Sequence, residues 1–195
     1  MKQIDVKSSQ DTGKAIYDSS IILFNDTAYR VNIRVFDREA EGETKANAIL
    51  ILKQTQNGRM LILTKDSIYT RNGGYVQFAD FNNDGIKDLL VFYTDGARAN
   101  PRFHLYLINT KLHRLIPVKG FEELTNAEFD SKNNIIISVG LSGSDYYSFY
   151  RITRKNKLIN LGHSFEVRES HSNEHADSVR YNNAIKAILK DNKTE

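Results

Sequence analysis

Apolar and polar residues alternate with a period of two along much of this chain, the spacing of half-buried strands. Residues 29–36, read YRVNIRVF, put Tyr29, Val31, Ile33 and Val35 on one face. A charged turn around Gly42 follows, and residues 49–52 begin a return strand. Gln56-Asn57-Gly58 lies between AILILKQ and RMLILTK, and Asn-Gly suits the left-handed backbone of a tight hairpin. A shorter piece at 67–70 leads to a turn at Asn72-Gly73-Gly74. Further strands are expected at 102–109, with Phe103, Leu105 and Leu107 facing one way, and at 115–118, 134–139, 147–153, 158–161 and 165–167. The period then changes. Tyr181, Ala184, Ile185, Ile188 and Leu189 recur at helical spacing behind Ser178, a natural N-cap.

Short strands at such spacing predict an all-β chain, a small or irregular β-propeller-like arrangement of antiparallel hairpins with a short C-terminal helix. The expected organisation is a flexible leader at 1–14, a β domain at 15–170, and a linker and packed helix at 171–195.

One stretch inside this pattern carries chemistry. Residues 78–92 read FADFNNDGIKDLLVF and space Asp80, Asn82, Asp84 and Asp88 as D-x-N-x-D-G-x-x-D. Calcium takes six to eight oxygen ligands, and acidic side chains at alternate loop positions supply them. Gly85 follows the third donor, where the backbone turns, and the Ile86 carbonyl and Asp88 carboxylate could close the ring. An EF-hand would need Glu at position twelve between two helices. Counted from Asp80, position twelve is Val91, and the flanks are aromatic and β-branched, hence strands. The alternative is an Asn/Asp/Gly-rich turn without metal. Three Asp in nine residues repel one another unless a cation intervenes.

Composition narrows the picture. The chain has 195 residues, 40% hydrophobic and 26% charged, as ordinary globular proteins do. A net charge of +3 with interspersed signs is no concentrated basic face, so nucleic acid is not an expected partner. With no cysteine, thiolate catalysis and zinc–thiolate sites are excluded. No apolar run is long enough for a helical membrane span. The first residues are polar, so any export signal is absent from this sequence. Glu122, Glu123 and Glu128 read as solvated carboxylates of a polar turn. His171 and His175, with His163 upstream, are a weak metal pattern in a linker-like setting.

A second constellation lies at 140–150, GLSGSDYYSFY. It nearly spells the G-x-S-x-G elbow of a hydrolase, but a strand-like run follows where that elbow requires a helix. As a plain Gly/Ser loop it would join two strands. Ser142-Gly143-Ser144-Asp145-Tyr146 also matches S-G-x-x-Y, the pattern of inhibitory loops in bacterial periplasmic lysozyme inhibitors.

With the loop at 80–88, residues 75–167 resemble FG-GAP (VCBS-like) periplasmic proteins that neutralise lysozyme-like effectors. The likeness rests on that loop, the aromatic strand in FHLYLINTKLHRLIPV, the Glu-containing turn FEELTNAEFDSKNNIIIS, the Gly/Ser–Tyr-Tyr loop and a Lys-Asn-Lys-Leu turn. The resemblance implies a non-enzymatic, calcium-binding inhibitor or immunity protein, periplasmic or secreted. Its partner would be a lysozyme-like peptidoglycan hydrolase. Asp80, Asn82, Asp84, Ile86 and Asp88 would hold calcium, and Ser142, Gly143, Ser144, Tyr146 and Tyr147 would meet the partner. The alternative function is a calcium-stabilised structural or adhesion module of the cell envelope.

Overall fold

A computed structural model describes residues 14–37, 46–71, 73–96, 98–168 and 174–191. The chain divides into two units, residues 1–69 and 70–195. In the first, β1 (Ala15–Ile22), β2 (Tyr29–Phe36), β3 (Ala48–Gln56) and β4 (Arg59–Ile68) form one antiparallel sheet in chain order. The β2 alternation behaves as expected: Tyr29, Val31, Ile33 and Val35 are buried, as are Leu50 and Leu52 opposite them. Asn57 and Gly58 both take positive φ, 51° and 72°, so the β3–β4 hairpin closes as its Asn-Gly requires. The opposite face of the sheet is mixed: the Asp18–Arg34 pair stands beside Ile49, Ile51, Met60 and Ile62.

The second unit holds two more four-stranded antiparallel sheets. One is β5 (Val76–Ala79), β6 (Asp88–Gly96), β7 (Asn100–Asn109) and β8 (Arg114–Pro117). The other is β9 (Glu128–Asp130), β10 (Ile135–Leu141), β11 (Ser144–Ile152) and β12 (Leu158–Arg168). A short 3-10 turn, Phe121–Glu123, joins them. Leu90, Phe92, Phe103 and Leu105 share a core with Ile136 and Ile152 of the other sheet, and Phe121 plugs it. Burial of this kind is the main stabilising contribution, on the order of 2 kcal/mol per large apolar side chain.

The helix α1 (Glu174–Asp191) covers the far face of the last sheet. Ile185 and Ile188 pack there against Ile135 and Phe149. The expected all-β class with a C-terminal helix therefore holds, built from three four-stranded meanders of the kind that make propeller blades. No closed barrel forms among the described residues.

Four local expectations change. Strand β1 was not anticipated, because AIYDSSII offers only a weak alternation. Of the piece at 67–70, Ser67 and Ile68 end a continuous β4, and Tyr69 and Thr70 lie beyond it. The strands expected at 158–161 and 165–167 are one strand, β12, whose register shifts opposite Ser148–Tyr150. Gly162 (φ 76°) and the Asn160 side chain accepting its N–H at 2.7 Å absorb that bulge, which reads in sequence as a break. The helix begins a full turn before Ser178, so that serine is helical and not the cap, and Leu189 points outward.

Candidate functional site

The 80–88 loop links β5 to β6, so the strand–loop–strand reading holds and the two helices of an EF-hand are absent. Its side chains organise the turn. Asp80 accepts N–H bonds from Asn82 (3.2 Å), Asn83 (2.8 Å) and Gly85 (2.9 Å). Asn82 Oδ1 accepts from Asp84 N–H at 3.2 Å, and Asp84 Oδ1 from Ile86 N–H at 2.8 Å. Asn83 and Gly85 both adopt positive φ, 60° and 81°. Phe81 turns inward and meets the Phe121 ring edge-on, with centroids 5.0 Å apart, anchoring the loop to the core.

Asp88 differs from the other three donors. It is 0% exposed, and its two oxygens accept N–H bonds from Phe81 (3.0 Å) and Ile108 (3.1 Å). It therefore ties the loop to β7. Burial pushes its carboxyl up to about 6; the two backbone bonds oppose the rise, and Asp84 and Asp80 add to it.

The donor set suits calcium in kind: three carboxylates, an amide oxygen and a main-chain carbonyl around a glycine turn. Each carboxylate oxygen that accepts one N–H keeps further acceptor capacity. Among the described residues, however, no three carboxylate or imidazole groups converge on one point. His163 instead meets Asp191 at the end of α1, Nε2 to Oδ2 2.9 Å. His171 lies outside the described residues, as does the side chain of His175.

The Gly/Ser–Tyr-Tyr segment forms the β10–β11 hairpin and its turn, not a nucleophile elbow. Leu141 pairs with Asp145, leaving Ser142, Gly143 and Ser144 at the tip. Gly143 carries the positive φ, 85°, and Ser142 N–H donates to the Ser144 carbonyl at 3.2 Å. The Ser142 side chain is exposed, and its hydroxyl donates to that same carbonyl at 3.3 Å.

The two tyrosines part company because neighbouring strand residues point to opposite faces. Tyr146 is 51% exposed and donates its hydroxyl to Ser164 Oγ at 2.9 Å. Tyr147 stacks on Phe165 (4.6 Å, 10°) on the face that α1 covers. Burial, then Asp145, Asp177 and Glu128, raise its phenol above the usual range. The structure thus brings Ser142, Gly143, Ser144 and Tyr146 to one tip and sends Tyr147 to the packing side.

Sequence reasoning missed what holds the tip. Asn100, 8% exposed, donates Nδ2–H to the Leu141 carbonyl (2.9 Å), while Leu141 N–H donates to Asn100 Oδ1 (2.9 Å). The side chain thereby acts as a surrogate strand. Asn126 Nδ2 donates to Asn100 Oδ1 (2.7 Å) and to the Val139 carbonyl (2.8 Å). Asn126 N–H donates to the Pro101 carbonyl at 3.0 Å, so the clamp spans β7, the 125–126 segment and β10. An Asn beside a proline reads as turn chemistry, and nothing in the sequence signals a partner 41 residues away.

No protein-family model matches the chain, and no curated protein matches it.

Proposed function

We propose that this protein is a non-catalytic, calcium-stabilised binding protein that blocks a lysozyme-like peptidoglycan hydrolase through its β10–β11 tip. The observation that carries the reading is the pre-organised tip. Ser142 is exposed and Tyr146 half-exposed, while Asn100 and Asn126 hold the strand beneath them. Binding costs less when the contacting loop is already ordered. A small Gly/Ser apex can enter a polysaccharide cleft, where the Ser142 hydroxyl donates to a catalytic carboxylate. Tyr146 supplies the amphipathic ring that interfaces favour.

Calcium belongs to the same proposal: Asp80, Asn82, Asp84, the Ile86 carbonyl and Asp88 hold one ion, which neutralises three nearby carboxylates. Modules with weak calcium affinity work where calcium is abundant, hence an exported, periplasmic or secreted protein.

Inhibition of lysozyme-like muramidases by the wild type, by Ser142→Ala and by Tyr146→Ala tests the reading. The expected result is inhibition by the wild type and at least a tenfold weaker effect from each variant, with melting curves unchanged. Inhibition that both variants preserve would remove the tip, and no binding to any muramidase would remove the function.

A further inference from the structure

The first sheet has a surface of its own on the face opposite its buried side. There Ile49, Ile51, Lys53, Met60, Ile62 and Lys65 line a hollow of about 340 Å³. Across β3 and β4, Ile51 pairs with Lys65 and Lys53 with Ile62, so ammonium groups and isoleucines alternate as a checkerboard. β4 is an edge strand, which leaves Met60 60% and Ile62 47% exposed. The carboxylate that lines the hollow, Asp18, is already taken. Arg34 donates to its Oδ2 from Nε at 3.0 Å and from Nη2 at 2.6 Å. Asp66 pairs with Leu50 and so lies on the other face. Lys53 and Lys65 have no carboxylate partner among the described residues.

We infer that this hollow binds one molecule of an anionic amphiphile, a long-chain carboxylate in the simplest case. The acyl chain lies on Ile49, Ile51, Met60 and Ile62, and the headgroup sits between Lys53 and Lys65. Two neighbouring cations repel one another, and an anion placed between them turns that repulsion into attraction. The apolar floor gains from an alkyl chain in proportion to the area both lose to water. The lysine stems extend that floor while their charged heads stay at its rim. The size also fits. Small-molecule sites begin at about 300 Å³ and combine mostly apolar walls with a few polar groups. None of these residues takes part in the proposed inhibitory tip.

The β3–β4 bulge is what puts charge and apolar surface on one face. Ile62 and Lys65 would face opposite ways on a regular strand, because they are an odd number of residues apart. The register passes from Leu52–Thr64 to Lys53–Ile62, over Leu63, and so brings both to the same side. A second copy of the chain is a poor occupant. Two such faces would set lysines against lysines, and like charges brought together oppose association.

Two measurements test this on the full chain. In the first, 15N-labelled protein at pH 8 is titrated with sodium decanoate, sodium acetate or decyltrimethylammonium chloride at equal ionic strength. Decanoate should shift the Ile49, Ile51 and Ile62 amides saturably, below the concentration at which it forms micelles. Acetate lacks the chain and decyltrimethylammonium lacks the anion, so each should bind at least tenfold more weakly. Lys53→Gln combined with Lys65→Gln should weaken decanoate binding at least tenfold, and Ile62→Ser at least threefold. The double variant should melt as the wild type does, because neither lysine gives up a carboxylate partner. No saturable decanoate shift, equal binding of all three probes, or decanoate binding that survives the double variant would overturn the inference. In the second, the protein is sedimented with phosphatidylglycerol vesicles and should stay in the supernatant, since the hollow takes a single chain. Co-sedimentation that the double variant abolishes would assign the face to a membrane surface and sink the single-molecule site.

Discussion

At the residue scale, Asn100 and Gly85 show two different kinds of constraint. Asn100 satisfies both backbone groups of Leu141 from a nearly buried position. Asn100→Ala strands them, and leaving buried polar groups unpaired costs about 1–3 kcal/mol. Chemical denaturation should show that loss, and the Leu141 amide should exchange faster. A loss below about 0.5 kcal/mol would mean water replaces the clamp. Gly85 has the opposite character: a Cβ there meets nothing within 4 Å, but its φ is 81°. Gly85→Ala should cost only the left-handed strain, about 1 kcal/mol, and Gly85→Asn less. Gly85 could be placed in the sequence because its constraint is its own backbone. Asn100 could not, because its role exists only once two distant hairpins come together.

At the element scale, α1 docks through a buried seam and polar contacts that include Tyr181–Asp130 and His163–Asp191. Ile188 is fully buried, and Ile188→Ala should cost about 3 kcal/mol, as large-to-small core changes do. Tyr181 donates its hydroxyl to Asp130 Oδ2 at 3.0 Å, and Asn133 Nδ2 donates to the same oxygen. Burial works to raise the Asp130 carboxyl, but bonds from Asn133, Tyr181 and the 132–133 backbone outweigh it, leaving it below its usual 3.8. Burial and then Asp130 push the Tyr181 phenol up to about 12.

A lowered carboxyl stabilises the native state above about pH 4 and loses that contribution as pH falls through its folded value. A raised phenol stabilises below about pH 10 and loses its contribution as pH rises through 12. The wild type should therefore exceed Tyr181→Phe by about 1 kcal/mol from pH 5 to 9, with the gap closing at both extremes. A gap independent of pH would assign the effect to packing alone.

Strand alternation and helical spacing made many of these elements legible, most plainly β2 and β3, where buried residues alternate with more exposed ones. The exceptions have local causes. Polar Asp18, Ser19 and Ser20 dilute β1, and Gly162 interrupts β12. The start of α1 misled because Ser178 is a good cap that the helix, already begun at Glu174, does not use. The Tyr181–Asp130 contact had no signature: the two are 51 residues apart, and Asp130 reads simply as a turn residue.

At the scale of the whole molecule, the remaining choice concerns the loop at 80–88: hydrogen bonds alone, or hydrogen bonds around an ion. Its position between two strands was legible from the D-x-N-x-D-G-x-x-D spacing and its flanks. The division of labour was not, because all four donors look alike in sequence while only Asp88 is buried and bound to β7. The two states respond differently to metal. An ion that binds only the folded chain stabilises it by about 2.7 kcal/mol at a hundred times its dissociation constant. For a chain of this length each kcal/mol moves the melting temperature by about 2–4 °C, so saturating calcium should raise it by roughly 5–10 °C over chelator. Asp84→Asn separates the donors' two roles. Asp84 is exposed, and an amide oxygen can still accept the Ile86 N–H, so stability in chelator should change by less than about 0.5 kcal/mol. The calcium-dependent rise should nevertheless fall by more than half, because the ion loses a charged ligand. If stripped wild-type protein melts alike with calcium and with chelator, the loop is an asparagine–aspartate turn held by its own backbone, and the calcium-based argument for export goes with it.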